Sequence, residues 1–494
     1  MNNIDEDEYN KDMKIKLGIL FLLAFLIRLI AINQSLWLDE ATSVMVVKHL
    51  TYGEILFKFS PFDFHPPGYY FFLKFWTGIF GFSEIAIRLP SVIASILTGY
   101  VVYLTGKKVS NAETGFWATA YYLFNPLVIY YSQEARMYSL VTLFLTILIY
   151  LLLVIDNLSY SQNQKSKVKS PSFVPLSGTT AGRQKYNSKV KSYLIVGTLV
   201  FLSVFTFYGS VLLITTLIIY FLFKKNYQTA FYFIIFLFLI LLLLTPLLIH
   251  QLDNAKSMLN VVSNWKSVLG KADLKNLLLI PLKFTSGRIS FFPKIVYYVL
   301  SGIWAIIISF FVFRGVIRNR MLGWLLIFPI IIGLVISFVT PMLQYFRFIY
   351  LLPIMAVLIS VGIKELKGSR VNELTSYIRI LVLLGFVIWS LVYLLIPQFH
   401  REDWKSLAYS LPKQAKVYMM ISSSDVLSYY RFDIHLVDVQ SIKRLTDMDN
   451  NLIIIPYTTE IYGVDYKTIL YCSGYKMSKE KTFRGLLIEY WEKV

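Results

Sequence analysis

The sequence predicts an all-α polytopic membrane protein of about eleven transmembrane helices with an outer juxtamembrane segment, followed by a small C-terminal α/β extracytoplasmic domain. Three observations lead there. Of 494 residues, 56% are hydrophobic and 16% charged, and the mean hydropathy is +0.59, far above the usual soluble domain. About a dozen apolar runs approach the roughly 20 residues that a spanning helix needs. Hydrophobicity then falls after Ile396 and stays low to Val494. This composition excludes a disordered chain, a nucleic-acid-binding arm and an ordinary cytosolic enzyme. The 38 Phe, 35 Tyr and 9 Trp suit aromatic belts at two membrane interfaces.

Clear runs begin near Ile15, Glu84, Ala112, Met137, Ser192, Gly209, Tyr227, Lys294, Met321, Arg347 and Tyr377. The first is not a cleaved signal peptide, because Trp37-Leu38-Asp39-Glu40 follows it rather than a small-residue cleavage site. The run Pro66–Gly81 is the shortest, and the positive-inside rule decides its place. If it does not cross and the N-terminus is inside, the basic turns fall on one side. These turns are Lys107-Lys108, the Asp156–Lys191 loop, Lys224-Lys225, Arg314/Arg318/Arg320 and Lys364/Lys367/Arg370. If it crossed, every later basic turn would lie outside. Residues 250–293 count against this reading, since they would be outside yet carry Lys256, Lys266, Lys271, Lys275, Lys283 and Arg288. The net charge of +19 is then a matter of orientation rather than of an anionic partner.

The chain thus divides into a transmembrane domain over 1–396 and an extracytoplasmic domain over 397–494. The first outer loop covers 34–83, a cytoplasmic loop 156–191 and a second outer loop 250–293. Ser159–Ser188, rich in Ser, Lys and Gly, reads as a mobile linker. In the terminal domain Lys416–Ile421, His435–Val439 and Asn451–Pro456 read as strands. Ser424–Arg431 and Ser441–Met448 read as helices, and Gly485–Trp491 as a last strand. No internal repeat is visible, unlike transporter folds built from repeated halves.

Polar groups gathered at one membrane face are the informative ones, and four clusters fall on the outer side. Asp39-Glu40 follows the first span. Adjacent carboxylates do not share a helix face, so the two play different parts; one can take a proton from an incoming hydroxyl or amine, and the bland reading is a solvated acid pair. In Asp63-Phe64-His65-Pro66-Pro67-Gly68-Tyr69-Tyr70 the prolines set the entry of an interfacial helix, with His65 and Asp63 where chain meets membrane. In Tyr130-Tyr131-Ser132-Gln133-Glu134-Ala135-Arg136-Met137-Tyr138, Glu134 and Tyr138 share a face if helical. Arg136 either holds an anionic partner, since guanidinium matches phosphate oxygens, or snorkels to headgroups. Gln344-Tyr345-Phe346-Arg347 opens the tenth span with the same two readings. Arg28, inside the first span, reaches water, pairs with an acid or is structural.

The five His are scattered, and no His-x-x-x-His or Cys-x-x-Cys spacing occurs. The single Cys472 excludes an internal disulfide framework and a multi-cysteine zinc site. No cofactor is required, although Asp39 with Glu40 could hold a hard divalent ion. No Gly-rich phosphate loop supports a nucleotide substrate.

Arg28…Ser35-Leu36-Trp37-Leu38-Asp39-Glu40-Ala41 resembles the first outer loop of polytopic glycosyltransferases of the GT-C superfamily. More closely it resembles the bacterial branch of glycosyltransferase family 39, related to protein O-mannosyltransferases and to the lipid A aminoarabinose transferase. His65-Pro66-Pro67, Glu84…Arg88-Leu89-Pro90, Ser132-Gln133-Glu134-Ala135-Arg136-Met137-Tyr138, Tyr345…Arg347 and Arg401-Glu402-Asp403-Trp404 follow the same pattern in order. The resemblance implies a polyprenyl-phosphate-linked sugar donor such as an undecaprenyl phosphate, an outward-facing site in the cell membrane, and inversion at the anomeric carbon. It implies Asp39 as general base with Glu40 its helper, Glu134 as a second acid, and Arg136 and Arg347 on the lipid phosphate. His65, Tyr138 and Tyr345 join them as substrate-binding residues. Relatives nearest the lipid A enzyme carry a lysine where His65 stands. The acceptor is a glycolipid, a polymer or a protein, and no nucleic acid is involved. The rival classes are a transporter or flippase of lipid-linked sugar, which calls for ionisable groups at the bilayer midplane, and a membrane polysaccharide polymerase or ligase.

Overall fold

A computed structural model describes residues 3–167, 180–262, 264, 270–366, 371–444 and 449–494. The helices give an all-α membrane-type bundle carrying a small C-terminal α/β unit. Each run expected to span is helical. Among the described residues seven helices are long and apolar enough to cross a membrane: Glu84–Val109, Tyr138–Ile155, Tyr227–Asn260, Lys294–Arg318, Arg320–Ser337, Tyr345–Lys364 and Glu373–Leu395. The others are shorter or more charged. Ala112–Leu123 has 12 residues and continues, past the Asn125 cap, as Pro126–Ser132. Ser210–Phe223 has 14, and the first helix, Asn3–Leu29, carries Arg28 in its last turn.

The segment Tyr345–Lys364 is the core of the bundle, 89% buried along its apolar window, whereas Tyr227–Asn260 and Lys294–Arg318 are 22% and 28% buried. All are strongly apolar. A helix that is apolar all round and still exposed is matched to lipid. Helices Lys294–Arg318 and Leu352–Lys364 approach so closely that a Cβ on Gly362 would collide with the Phe311 carbonyl, and one on Gly315 with that of Leu358.

Between the first two long helices lies the segment 30–83. Leu38–His49 is a helix with Asp39 and Glu40 in its first turn, where acids suit the dipole. Thr51 and Glu54 form a capping box. Gly68–Phe80, which starts after the prolines, has 13 residues, about 20 Å of helix against the roughly 30 Å of a hydrocarbon core. It buries Tyr69, Tyr70, Leu73 and Thr77 and exposes Phe75, Ile79 and Phe80, the pattern of a helix lying on the bundle rather than through it.

Among the described residues the C-terminal sheet has five strands in the order β2-β1-β3-β5-β4: β1 Lys416–Met419, β2 His435–Asp438, β3 Asn451–Ile454, β4 Tyr475–Phe483 and β5 Leu486–Lys493. β1 pairs parallel with β2 and β3; β5 pairs antiparallel with β3 and β4. The sequence reading lacks β4 and the helix Tyr466–Cys472. β4 is an exposed, lysine-rich edge, a composition that blunts edge pairing and hides the strand signal. The expected helix Ser441–Met448 begins as a 3₁₀ turn over Val439–Arg444, and 445–448 lie outside the described residues. The middle of the expected Ser159–Ser188 linker also lies outside them, and helices Tyr138–Lys167 and Thr180–Thr206 extend into its two ends.

This unit seats on segment 34–84. The Leu36 amide donates to the Tyr430 hydroxyl (2.9 Å), the Thr42 hydroxyl to Asp425 (2.7 Å) and the Tyr429 hydroxyl to the Phe82 carbonyl (2.8 Å). Lys405 pairs with Glu84 at 2.9 Å.

Candidate functional site

The site is assembled around Arg88, one turn into the helix capped by Ser83. Its Nε and Nη2 donate to the two oxygens of Glu40 at 2.8 and 2.6 Å, a bidentate pair in which both side chains are fully buried. Its remaining bonds go to the carbonyls of Ile32 (2.7 Å), Gln34 (2.6 Å) and Ser35 (3.1 Å). One guanidinium thus folds the 32–40 segment around itself. Glu40 Oε1 also accepts the Ala135 amide at 2.8 Å, and Oε2 lies 3.4 Å from Arg401. Burial would raise the Glu40 pKa, but Arg88 and Arg401 hold it below the usual range. Glu40 is an ionised anchor whose oxygens are occupied.

Asp39 faces elsewhere, as adjacent carboxylates must. Its side chain is 41% exposed, and Oδ2 lies 3.6 Å from Arg136 Nη2. Arg136 is 4% exposed. Its Nη1 donates to Ser43 (3.2 Å) and the Asp39 carbonyl (3.4 Å), its Nη2 reaches His65 Nε2 at 3.4 Å, and Nε has no hydrogen-bond partner among the described residues. Guanidinium only donates, so His65 accepts on Nε2, and this network assigns the proton to Nδ1, 3.3 Å from Asp63 Oδ1. Asp63 also accepts the Phe64 amide (2.8 Å) and the Tyr70 hydroxyl (2.7 Å). Burial alone would raise Asp63, but His65, Arg136 and the Tyr70 bond bring it down to about 2.

Behind Asp39 sits Glu134, fully buried, with neither oxygen in a well-aligned hydrogen bond among the described residues. Arg401 Nη2 is 3.3 Å from it in ion-pair contact. Burial pushes the Glu134 pKa up, Arg401 opposes this, and the nearby Glu40 charge adds to it. Arg401 comes from beyond the last span and stacks over Tyr130 (4.6 Å) and Trp37 (5.7 Å). Arg288 also approaches Tyr130, donating to its hydroxyl at 2.7 Å. Lys283 bonds Ile289 O (2.9 Å) and Tyr297 Oη (2.8 Å); burial, then Arg288 and Lys294, lower its pKa to about 7. So two of the basic residues in 250–293 that run against the positive-inside pattern are engaged beside the site.

Tyr138 packs against Tyr131, Phe207 and Phe346 at 4.9, 5.9 and 6.1 Å between ring centres and is within electrostatic range of both Arg136 and Arg347. Arg347 donates to the Pro341 carbonyl at 3.4 Å, and Tyr345 packs edge-on against Phe346. These residues share one end of the bundle with Asp39. Arg28 is structural: fully buried, it donates to the Ala24 and Leu123 carbonyls and to Ser95, and pairs with no acid among the described residues.

Sequence reasoning assigns no role to Arg88, Arg401 or Arg288, and sets Asp63 beside His65 in a candidate cluster without giving it a part of its own. Arg88 and Arg401 stand in the motifs quoted above, and an arginine inside an apolar run is itself the signal that could have found Arg88. Among the described residues no three His, Cys, Asp or Glu side chains gather as metal ligands. The Asp39–Glu40 pair does not fit a divalent ion, because Glu40 is bound by cations and Asp39 faces one.

The profile of a family described as dolichyl-phosphate-mannose-protein mannosyltransferase matches residues 64–159. Comparison with proteins of curated function gives no match. Among solved structures, ArnT from Cupriavidus metallidurans bound to undecaprenyl phosphate superposes with a TM-score of 0.56 at 11% identity, over 96% of this chain and 97% of that one. The archaeal oligosaccharyltransferase AglB from Archaeoglobus fulgidus, in complex with an inhibitory peptide and a dolichol-phosphate, gives 0.50 at 11% identity over 96% and 74%. Another structure of that enzyme, a complex with Zn and sulfate, gives 0.50 at 10% over 88% and 67%. The chain has the fold of ArnT, and its resemblance to protein mannosyltransferases and the aminoarabinose transferase is borne out.

Proposed function

We propose that this GT-C-fold chain moves a sugar from a polyprenyl-phosphate donor to an acceptor hydroxyl or amine at the outer face of the cell membrane, with inversion and with Asp39 as general base. The observation that carries the reading is one pair. Asp39 is the half-open carboxylate of the cluster, and beside it stands Arg136, buried and with Nε unpartnered among the described residues. A base and a phosphate holder are the two groups that direct displacement from a lipid phosphate needs. The acceptor oxygen or nitrogen forms its bond to the anomeric carbon as Asp39 takes its proton. The bond from that carbon to the phosphate oxygen breaks, and the lipid phosphate leaves as an anion stabilised by Arg136 and, in this reading, Arg347. Glu40 acts through position, holding the loop that carries Asp39. Glu134, kept above the usual carboxylate range, is the second acid, and His65 braces Arg136. The outer placement of the site and of the C-terminal domain rests on the basic-turn parity.

The test is transfer from a lipid-linked sugar by the purified protein, with undecaprenyl phosphate binding measured alongside. Asp39→Asn should lower transfer by about 10² to 10⁴-fold and retain binding. Arg136→Lys should weaken binding, since lysine keeps the charge and loses the planar fork. Near-normal turnover in Asp39→Asn sinks the mechanism. A wild-type protein that carries lipid-linked sugar across vesicles and transfers none would make it a transporter.

A further inference from the structure

A second cleft, of about 910 Å³, opens in the C-terminal unit between the segment after β3, the helix Tyr466–Cys472 and the β4–β5 hairpin. Glu489, fully buried on β5, lies in its wall. The Tyr466 hydroxyl and the Trp491 indole donate to Oε2 at 2.9 and 3.0 Å. Oε1 is in ion-pair contact with Lys467 at 2.7 Å but in no well-aligned hydrogen bond among the described residues. A buried carboxylate is costly to desolvate, and packing alone does not call for one here. The cleft wall also carries Tyr457, Phe483, Thr458 and Thr482, while Glu460 and Asp465 add two carboxylates against the single amine of Lys467. Aromatic faces, hydroxyls and an excess of acceptors suit a polyhydroxylated, uncharged or amino-bearing ligand and repel a phosphorylated one.

One residue of the cleft wall, Tyr457, faces toward the site already described. Tyr457 packs edge-on against the buried Trp404 at 4.9 Å and is within electrostatic range of Asp39 and Glu402. The next residue, Thr458, is β-branched yet has φ of +65°, a conformation that costs free energy and persists where its surroundings impose it. Its hydroxyl is 2.8 Å from Ser423, in the segment after β1.

We infer that this cleft is an acceptor subsite for an unphosphorylated saccharide, which it holds so that a hydroxyl or amine reaches Asp39. The inference rests on the transfer reaction proposed above. Its test uses the full chain in lipid nanodiscs and saturation-transfer NMR with cellobiose, chitobiose and glucose 6-phosphate, and undecaprenyl phosphate binding is measured separately. The neutral disaccharides should bind saturably, and glucose 6-phosphate about tenfold more weakly or not at all. Thr482→Trp, which fills the cleft from an exposed strand, and Glu460→Gln should each weaken disaccharide binding by about fivefold or more and leave undecaprenyl phosphate binding within about twofold. No disaccharide binding to the wild type, binding unchanged in both variants, or equal binding of glucose 6-phosphate overturns the inference. Wild-type protein that binds disaccharide in the cleft but no undecaprenyl phosphate upholds the cleft as a saccharide site and sinks the transfer reading.

Discussion

Asp39 and Glu40 are neighbours in the chain with opposite circumstances: one is half open to solvent, the other sealed against Arg88. Their substitutions should therefore fail differently. Glu40→Gln leaves the Arg88 charge buried and uncompensated, a loss of about 3–5 kcal/mol, seen as a lower unfolding temperature and folded yield in detergent. Asp39→Asn, whose 3.6 Å contact with Arg136 is half open to solvent, should cost no more than about 1 kcal/mol while transfer collapses. Equal stability of the two variants would show that Glu40 is not an anchor. Asp63 adds a pH signature. Its native pKa is depressed from 3.8 to about 2, so its stabilising share is complete above the unfolded value and is lost as pH falls through the native one. The stability gap between wild type and Asp63→Asn should stay flat from about pH 5 to 8 and close below about pH 4. A gap that closes near neutrality would overturn the assignment.

At the scale of elements, one pair of helices offers a sign test. Gly362 and Gly315 let Leu352–Lys364 and Lys294–Arg318 meet backbone to backbone, whereas Gly302, on the same long helix, has nothing within 4 Å of where a Cβ would stand. Gly302→Ala should be neutral or stabilising by up to about 1 kcal/mol through helix propensity. Gly362→Ala should destabilise by about 1–3 kcal/mol through overpacking. Thermal unfolding of the two single variants decides it, and a harmless Gly362→Ala would mean that the helices do not approach as described. The short helix Gly68–Phe80 belongs at this scale as well. Its length keeps His65 and Asp63 at the same end of the bundle as Arg136, where a full span would carry the chain to the other face.

For the whole molecule, the terminal unit is part of the site and not an appendage. Arg401 enters from its first segment and stands between Glu40 and Glu134 at 3.4 and 3.3 Å. Ending the chain at 396 should abolish transfer, and Arg401→Gln in the full chain should impair it and lower stability, because buried Glu134 then loses its ion-pair partner while it still faces the charge of Glu40, which Arg88 keeps ionised. Transfer by the truncated chain at wild-type rate would contradict this. Orientation is checked apart from activity: a reporter fused after Val494 should work only outside the cytoplasm, and cytoplasmic activity reverses the parity argument.

What the sequence by itself determined was the set of apolar runs, the drop after Ile396, and the residues Asp39, Glu134 and Arg136 as the polar groups worth following. Those are local signals. A helix in lipid satisfies its own backbone, so length and apolarity are enough to reveal it. Only the tertiary structure decided which of two adjacent acids stays open, because that choice is made by Arg88, 48 positions from Glu40, and by Arg401, farther still. It also decided that Asp63 orients His65 against Arg136, and that β4, whose solvent-facing lysines carry no strand signal, completes the sheet. Ion pairs and edge strands depend on partners brought close by packing, and no periodicity in the chain encodes that proximity.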